Sequence, residues 1–126
     1  YVVRGRILVH RLDDVVNAKK EGLNIVMIKM DTEGYECNVM EGGSNLLLRS
    51  GARVILTEFT KTWMIERGGD PTKFMKDIGD AGYRLKRTER LTSSSSELDR
   101  DFMTKEEMLE AVVSGDLKDN RHDLAL

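Results

Sequence analysis

Two short apolar segments with helix-forming chain between them constrain the fold more than any other feature of this sequence. The first, IVMIKM, begins at Ile25, and the second, RVILTEF, begins at Arg53. Each holds aliphatic and β-branched residues over the length of a strand, and such uninterrupted apolar runs are typical of strands buried on both faces of a sheet. Because helix signals separate them, the two segments predict parallel strands joined by a helical crossover in an α/β sheet.

The helix signals are capping residues, glycines and a proline. Asp residues in a first helical turn complement the positive end of the helix dipole, and a proline directly after a capping residue fits the first turn. A threonine followed three residues later by glutamate forms a capping box. These signals predict helices that start at Asp13 and Asp14, at Ser44 after the Gly42-Gly43 break, at Asp70 and Pro71, and at Thr104 with Glu107.

The other apolar segments predict further strands. Residues 7–9 form a short apolar run, and the segments YRLKR from Tyr83 and HDLAL from His122 are the remaining expected strands. Between these last two, the serine-rich residues 88–103 predict a polar loop or hairpin.

A second loop is predicted at residues 60–70, TKTWMIERGGD. Gly68 and Gly69 would let this loop move. We expect Trp63 to be a partly buried anchor in preference to a lid over a bound acceptor.

Length and composition limit the class of protein. The chain has 126 residues, 33% charged and 40% hydrophobic, with a net charge of −2, which fits a single globular domain. Its apolar runs are shorter than the roughly 20 residues of a membrane-spanning helix. We therefore expect no insertion into a membrane. Acidic residues concentrate in the second half of the chain, and basic residues do not alternate with aromatic ones, so we also expect no nucleic-acid binding. With Cys37 as its one cysteine, the chain can form no internal disulfide, and a cytoplasmic location is expected.

Charged residues directly follow the first of the two strands, in the stretch IKMDTEGYE at residues 28–36. Alternation along a strand would place Lys29 within an apolar face, where an ammonium needs a carboxylate partner. Asp31 and Glu58, the latter at the same end of the second strand, are the expected partners. Ligands bind beyond the carboxyl ends of parallel strands. The acids expected at this edge are Asp31, Glu33, Glu36 and Glu58.

Residue chemistry alone leaves three interpretations of these acids open. Glu33 and Glu36 fit equally well as ordinary first-turn acids of the next helix. Asp31, Glu33 and Glu58 could instead coordinate Mg²⁺ or Ca²⁺, whereas the two histidines are far apart and lack the spacing of zinc ligands. The third interpretation is a rim of catalytic or ligand-binding groups.

Several of these elements occur together and in the same order in a known family. Residues 11–59 resemble the FkbM family of S-adenosylmethionine-dependent methyltransferases. The family pattern has a Leu-Asp-Asp element, a strand ending Lys-x-Asp-x-Glu-Gly-x-Glu, a glycine-containing helix and a strand ending in Glu. The corresponding positions in this chain are Leu12 to Asp14, Lys29 to Glu36, Gly42 and Glu58.

The resemblance implies a fold and a set of site residues. The fold is a Rossmann-like class I methyltransferase sheet of the α/β class. Residues 1–126 would form its carboxyl-terminal portion, mostly parallel with a final antiparallel strand. Asp31 would face both cofactor and acceptor. The implied catalytic residues are Asp31, Glu33, Lys29 and Glu58, and the implied cofactor-binding residues are Asp31 and Glu36.

One part of the family pattern has no counterpart in this chain. The main cofactor site of the family is an upstream Asp-x-Gly-x-Asn-x-Gly loop, and no segment here resembles it. The resemblance therefore implies a partial domain, inactive alone, with S-adenosylmethionine bound mostly by residues outside this chain.

Two functions are consistent with these features. The resemblance implies O-methyl transfer to a small-molecule or glycan hydroxyl by the parent protein. The alternative is a non-catalytic interaction or assembly module that retains the sheet. In that case the open edge of the first strand would support a homo-oligomer or strand exchange with another chain.

Overall fold

A computed structural model describes residues 5–16, 24–49, 51–87, 102–115, 117 and 123–125 of the chain. Helices and strands alternate along these residues. In chain order the elements are α1 (Leu12–Val15), β1 (Met27–Met30), α2 (Glu36–Gly42), α3 (Ser44–Arg49), β2 (Val54–Glu58), α4 (Lys61–Glu66), α5 (Pro71–Asp80), β3 (Lys86–Arg87), α6 (Lys105–Ser114) and β4 (Asp123–Ala125).

The four strands of the described residues form one sheet in the order β1-β2-β4-β3. β1 and β2 are parallel, with Met27 opposite Val54 and Met30 opposite Thr57. β4 runs antiparallel to both β2 and β3. The two apolar segments therefore form a parallel strand pair joined by helices, which confirms the α/β class that they predict.

The hydrophobic core lies between one face of the sheet and the helices. Ile55 of β2 and Met30 of β1 are buried in it, and Phe59 packs against Phe74 of α5 with ring centroids 6.4 Å apart. The core residues contributed by helices are Met40, Leu47, Met64, Phe74, Met75, Ile78, Met108, Ala111 and Val112.

The opposite face of β1 is open in the described part of the chain, so the prediction of a strand buried on both faces is wrong. Met27 is 59% exposed. The Lys29 side chain, predicted to be buried, is 65% exposed. The side chains alternate as expected along the strand, but the described residues cover only the face that carries Met30.

The predicted strand at residues 7–9 is also wrong. Ile7, Leu8 and Val9 are in no strand, and their exposed fractions are 88%, 88% and 85%. Isolated extended segments gain no ladder hydrogen bonds. No strand of the described residues pairs with this segment, so its apolar residues are not part of the sheet.

Asp13 caps a different helix from the one it was expected to start. α1 begins after Arg11, which makes no side-chain capping bond. The Asp13 carboxylate instead accepts hydrogen bonds from the backbone N–H groups of Asn45 at 3.1 Å and Leu46 at 2.9 Å. It therefore caps the first turn of α3, a position predicted to be capped by Ser44. Burial acts to raise the pKa of Asp13, but the hydrogen bonds from Leu46 and Asn45 outweigh it and hold the pKa below its ordinary value.

The predicted loop at residues 60–70 contains the short helix α4, which is a further correction. β-Branched residues such as Thr62 and Ile65 lower its intrinsic helix propensity. Its stability comes from packing, because Met64 is completely buried in the core. Tertiary contacts thus override a weak local signal.

The two strongest helix signals are confirmed. The Asp70 carboxylate accepts hydrogen bonds from the N–H groups of Thr72 and Lys73 at the start of α5. Thr104 and Glu107 form the predicted capping box at the start of α6.

The second half of the chain contains two of the remaining predicted features. The segment YRLKR forms the two-residue strand β3, preceded by a bridge between Leu85 and Met103. The predicted loop or hairpin at residues 88–103 lies outside the described residues except for its last two positions. None of the described helices has the length and apolarity needed to cross a bilayer.

Candidate functional site

The carboxyl ends of β1 and β2 lie side by side, because Met30 is paired with Thr57 in the parallel ladder. Asp31 directly follows β1, and Glu58 is the last residue of β2. The Lys29 ammonium lies 3.9 Å from Asp31 Oδ2, with the two side chains 65% and 53% exposed. Asp31 is one of the two partners expected for Lys29. An ion pair this exposed is weak, so both groups remain available to a ligand.

A tight turn connects β1 to α2 and presents its polar side chains. The Tyr35 N–H donates to the Thr32 carbonyl across the turn at 3.2 Å. Glu33 and Gly34 both adopt positive φ, at 52° and 95°. Left-handed backbone is uncommon for a residue with a side chain, so Glu33 is held there by the surrounding structure. Its own side chain is exposed.

Gly34 allows this turn to lie directly against helix α4. A Cβ atom at Gly34 would be 2.7 Å from Trp63 Cβ and 2.9 Å from the Trp63 carbonyl carbon. Such distances are shorter than van der Waals contact, so any side chain at this position would push the turn and the helix apart. The backbone of Trp63 is thus a supporting wall for the turn, and Trp63 itself is partly buried, as expected for an anchor.

Glu36, the first residue of α2, is 1% exposed. Its Oε1 atom accepts two hydrogen bonds from Thr32, one from the backbone N–H and one from the side-chain hydroxyl, each 2.9 Å long. Its Oε2 atom is buried and has no hydrogen-bond partner among the described residues. Glu36 is therefore not an ordinary exposed acid of a first helical turn.

Two further contacts join the turn and α2 to the segment after α4. The guanidinium carbon of Arg67 lies 5.2 Å from the centre of the half-exposed Tyr35 ring, a cation–π contact. Gly69 lies against Cys37, where a Cβ atom would be 2.5 Å from Cys37 Cβ. Gly69 is therefore packed in place against α2, although it was predicted to let its loop move.

Cys37 is a packing residue, and its thiol has low reactivity. Burial, together with the negative charges of Glu36 and Asp70, raises the pKa of its thiol to about 11. At neutral pH the group is a thiol, which is a poor nucleophile and a poor metal ligand.

The structure gives no support to a metal site. Among the described residues, no group of three or more His, Cys, Asp or Glu side chains is arranged to hold a metal ion. The interpretation in which Asp31, Glu33 and Glu58 ligate Mg²⁺ or Ca²⁺ is therefore not supported.

Sequence reasoning missed Thr32 and the support from Trp63. In a standard capping box the glutamate follows the threonine by three residues, whereas Glu36 follows Thr32 by four. A search that allowed this longer spacing would have found the Thr32–Glu36 pair. The contact between Gly34 and Trp63 joins residues from different elements, and no local pattern predicts it.

These elements define a class of protein. A parallel strand pair with exposed carboxylates at its carboxyl end is the arrangement in which α/β enzymes bind ligands. The methyltransferase FkbM domain matches residues 6–85 of this 126-residue chain, and the chain belongs to that family. All five predicted site residues lie within the matched range. Comparison with curated proteins and with solved structures gives no match.

Proposed function

We propose that the chain is the carboxyl-terminal portion of an S-adenosylmethionine-dependent O-methyltransferase with a Rossmann-like class I sheet. Its substrate would be a hydroxyl group of a small molecule or glycan. Membership in the FkbM domain family identifies a methyltransferase domain. The proposal adds the cofactor, the reaction and the incomplete state of the domain.

The observation that carries this proposal is the position of Asp31. It lies at the carboxyl end of a parallel strand pair, and its side chain is 53% exposed within 3.9 Å of the Lys29 ammonium. A carboxylate that is both ionisable and accessible can accept a hydrogen bond from an approaching hydroxyl group.

The described residues fit part of S-adenosylmethionine. A carboxylate accepts hydrogen bonds from ribose hydroxyls and attracts an ammonium or sulfonium cation. Asp31 offers exposed carboxylate oxygens, whereas Glu36 is 1% exposed and bonded to Thr32. Asp31 would hold the polar part of the cofactor, and residues outside this chain would hold most of the rest.

When bound, S-adenosylmethionine supplies a methyl group on a positively charged sulfur. The residues of this chain would align the acceptor and remove its proton. Asp31 would accept the hydrogen bond of the acceptor hydroxyl and take up its proton. Glu33, in the same turn, would be a further acceptor, and Lys29 and Glu58 would hold the turn in place.

The test is Asp31→Asn in the full-length protein, incubated with S-adenosylmethionine and a panel of methyl hexosides. Asparagine keeps the shape but cannot take a proton, so S-adenosylhomocysteine formation should fall about 10²-fold or more. The unfolding midpoint should not change, because the side chain is half exposed. Glu110→Gln, on an exposed position of α6, removes one carboxylate elsewhere and should leave turnover unchanged. Equal turnover in Asp31→Asn and wild type would refute the role of Asp31.

An exposed strand edge favours a second candidate, a module that binds another chain. β1 is the end strand of the described sheet. Val26, directly before it, and Met27, its first residue, are each 59% exposed. Open apolar edges promote pairing with further strands. In this case the chain would form a homo-oligomer or exchange a strand, without methyl transfer.

Size-exclusion chromatography with light scattering over a concentration series separates the two candidates. A lysine at position 26 should prevent edge pairing, because charged side chains block an open edge. Val26→Lys would then shift an oligomer to monomer, whereas Val113→Lys, at a 75% exposed position of α6, would not. A wild-type chain that stays monomeric at every concentration rules out self-association through β1.

A further inference from the structure

One buried side chain is hydrogen-bonded to the turn that carries Asp31 and Glu33. Glu36 is 1% exposed, and its Oε1 atom accepts both the Thr32 backbone N–H and the Thr32 hydroxyl at 2.9 Å. Thr32 lies between Asp31 and Glu33 in the chain. The two bonds therefore fix the peptide plane that joins Asp31 to Thr32, and with it the direction in which Asp31 leaves the strand.

The turn is held from its other side by packing. Gly34 lies against the Trp63 backbone, and Glu33 keeps a positive φ of 52°. A strained conformation persists only where surrounding contacts determine it. The pair of bonds to Glu36 and the contact with Trp63 restrain the turn together with the backbone bond from Tyr35 to Thr32.

A neutral side chain could make the same two bonds. The carbonyl oxygen of a glutamine also accepts two hydrogen bonds, so acceptance from Thr32 requires the shape of the residue and not its charge. The two oxygen atoms of the Glu36 carboxylate therefore differ in their contacts. Oε1 holds the turn, whereas Oε2 has no partner among the described residues.

We infer that Glu36 is a positioning residue for methyl transfer, which orients Asp31 by holding Thr32 through Oε1. This inference rests on the proposed function for its catalytic consequence. Its structural basis, the two bonds to Thr32, can be tested independently of any activity.

The test uses two matched pairs of variants in the full-length protein. Glu36→Ala removes both bonds, whereas Glu36→Gln keeps them. Thr32→Val removes the hydroxyl bond alone, whereas Thr32→Ser keeps it. The readouts are S-adenosylhomocysteine formation with the methyl hexoside panel, the unfolding midpoint, and the amide NMR signals and hydrogen exchange of residues 31–33.

A positioning role predicts a specific order of turnover rates. Because misplacing a catalytic group by about 1 Å costs about 10²-fold in rate, kcat should fall by about that factor in Glu36→Ala and less in Thr32→Val. Glu36→Gln and Thr32→Ser should stay within about threefold of wild type, because they retain the hydrogen bonds. The amide exchange of residue 32 should accelerate in Glu36→Ala.

Three outcomes would overturn the inference. A folded Glu36→Ala with wild-type kcat would show a purely structural role, and if that variant does not fold, wild-type kcat in Thr32→Val has the same meaning. A Glu36→Gln as slow as Glu36→Ala would show that the charge is needed for more than holding Thr32. Unchanged amide signals at Asp31 and Glu33 in Glu36→Ala would show that the turn does not depend on the bonds. If the wild type produces no S-adenosylhomocysteine, the proposed function fails, and the amide signals alone decide whether Glu36 positions the turn.

Discussion

The helical side of the molecule and the β1 side differ sharply in how completely they are built. Around α5 and α6, Phe74, Met75, Ile78 and Met108 are almost fully buried, and each helix starts at a side-chain cap. At β1, Met27 is mostly exposed and the candidate site residues Asp31 and Glu33 face outward. The first region is closed by its own residues, whereas the second is open on the side where a ligand or further chain would bind.

The difference shows which elements are packed completely by the described residues of this chain. Apolar burial near α5 follows from helical spacing, and α5 packs against α6 and Phe59 of the same chain. The strand β1 has one face on that core and one face without a covering layer among the described residues. Among the described residues, the apolar side chains of β1 are therefore packed on one face of the strand and exposed on the other. The following four predictions test that comparison.

The largest effect is expected in the closed region. Ile78 is 0% exposed, and Ile78→Ala should lower the free energy of unfolding by about 2–5 kcal/mol through lost contacts and a cavity. Met27→Ala on the open face should change it by less than about 0.5 kcal/mol. Denaturant unfolding of both variants measures the contrast. A loss for Met27→Ala close to that for Ile78→Ala would show that the β1 face is covered in solution.

A comparable effect is expected at the contact that supports the site. Gly34→Ala combines left-handed strain at φ 95° with a Cβ atom 2.7 Å from Trp63 Cβ, so it should destabilise by about 3 kcal/mol. Gly82→Ala has a similar φ of 91° but no atom within 4 Å of the added carbon, and should cost about 1 kcal/mol. Equal losses in thermal unfolding would mean that the contact with Trp63 yields without cost.

Asp13→Ala should have a smaller effect, about 1 kcal/mol, because it removes a helix cap supplied from a distant segment. The pKa of Asp13 lies below its ordinary value of 3.8, so the ionised form is favoured in the folded state. Its contribution is present above the unfolded pKa and is lost as the pH falls through the folded pKa. The stability difference between wild type and variant should therefore disappear in acid. A difference that persists there would contradict a capping carboxylate.

The smallest effect is expected at the surface charges of α5. Hydrogen bonds from Lys105 and from Lys76 lower the pKa of Asp80 from 3.8 to about 2. The stabilisation from this group is present above the unfolded pKa and is lost as the pH falls towards 2. Since the group is exposed, salt should weaken it. NMR titration should show the pKa of Asp80 rising towards its ordinary value in high salt and in Lys105→Met, and an unchanged pKa would refute the ion pairs.

Much of the fold could be predicted where local chemistry is strong. Capping boxes, a proline after an N-cap and continuous β-branched runs identified α5, α6, β1 and β2, because each depends on neighbouring residues. The run at residues 7–9 has strand composition but no pairing partner among the described strands, and α4 has low propensity but a buried Met64. Composition could not decide either case, because both depend on contacts with distant segments.

The candidate site divides in the same way. Asp31, Glu33 and Glu58 were expected at the carboxyl ends of parallel strands, and the ladder places Asp31 and Glu58 there. The burial of Glu36 and its bonds to Thr32 were not expected. A charged residue at a helix start is normally exposed, and only the packing of α2 against its surroundings covers this one.

The sequence by itself determined the α/β class, the parallel strand pair and the family, because periodicity, capping residues and the order of motifs are properties of the chain. The tertiary structure decided which face of β1 is covered, that Asp13 caps α3, and that Trp63 and Glu36 hold the turn at Asp31. These features depend on residues far apart in the chain that come together only when the helices pack on the sheet. For the same reason, the role proposed for Asp31 rests on its surroundings as much as on its place in the motif.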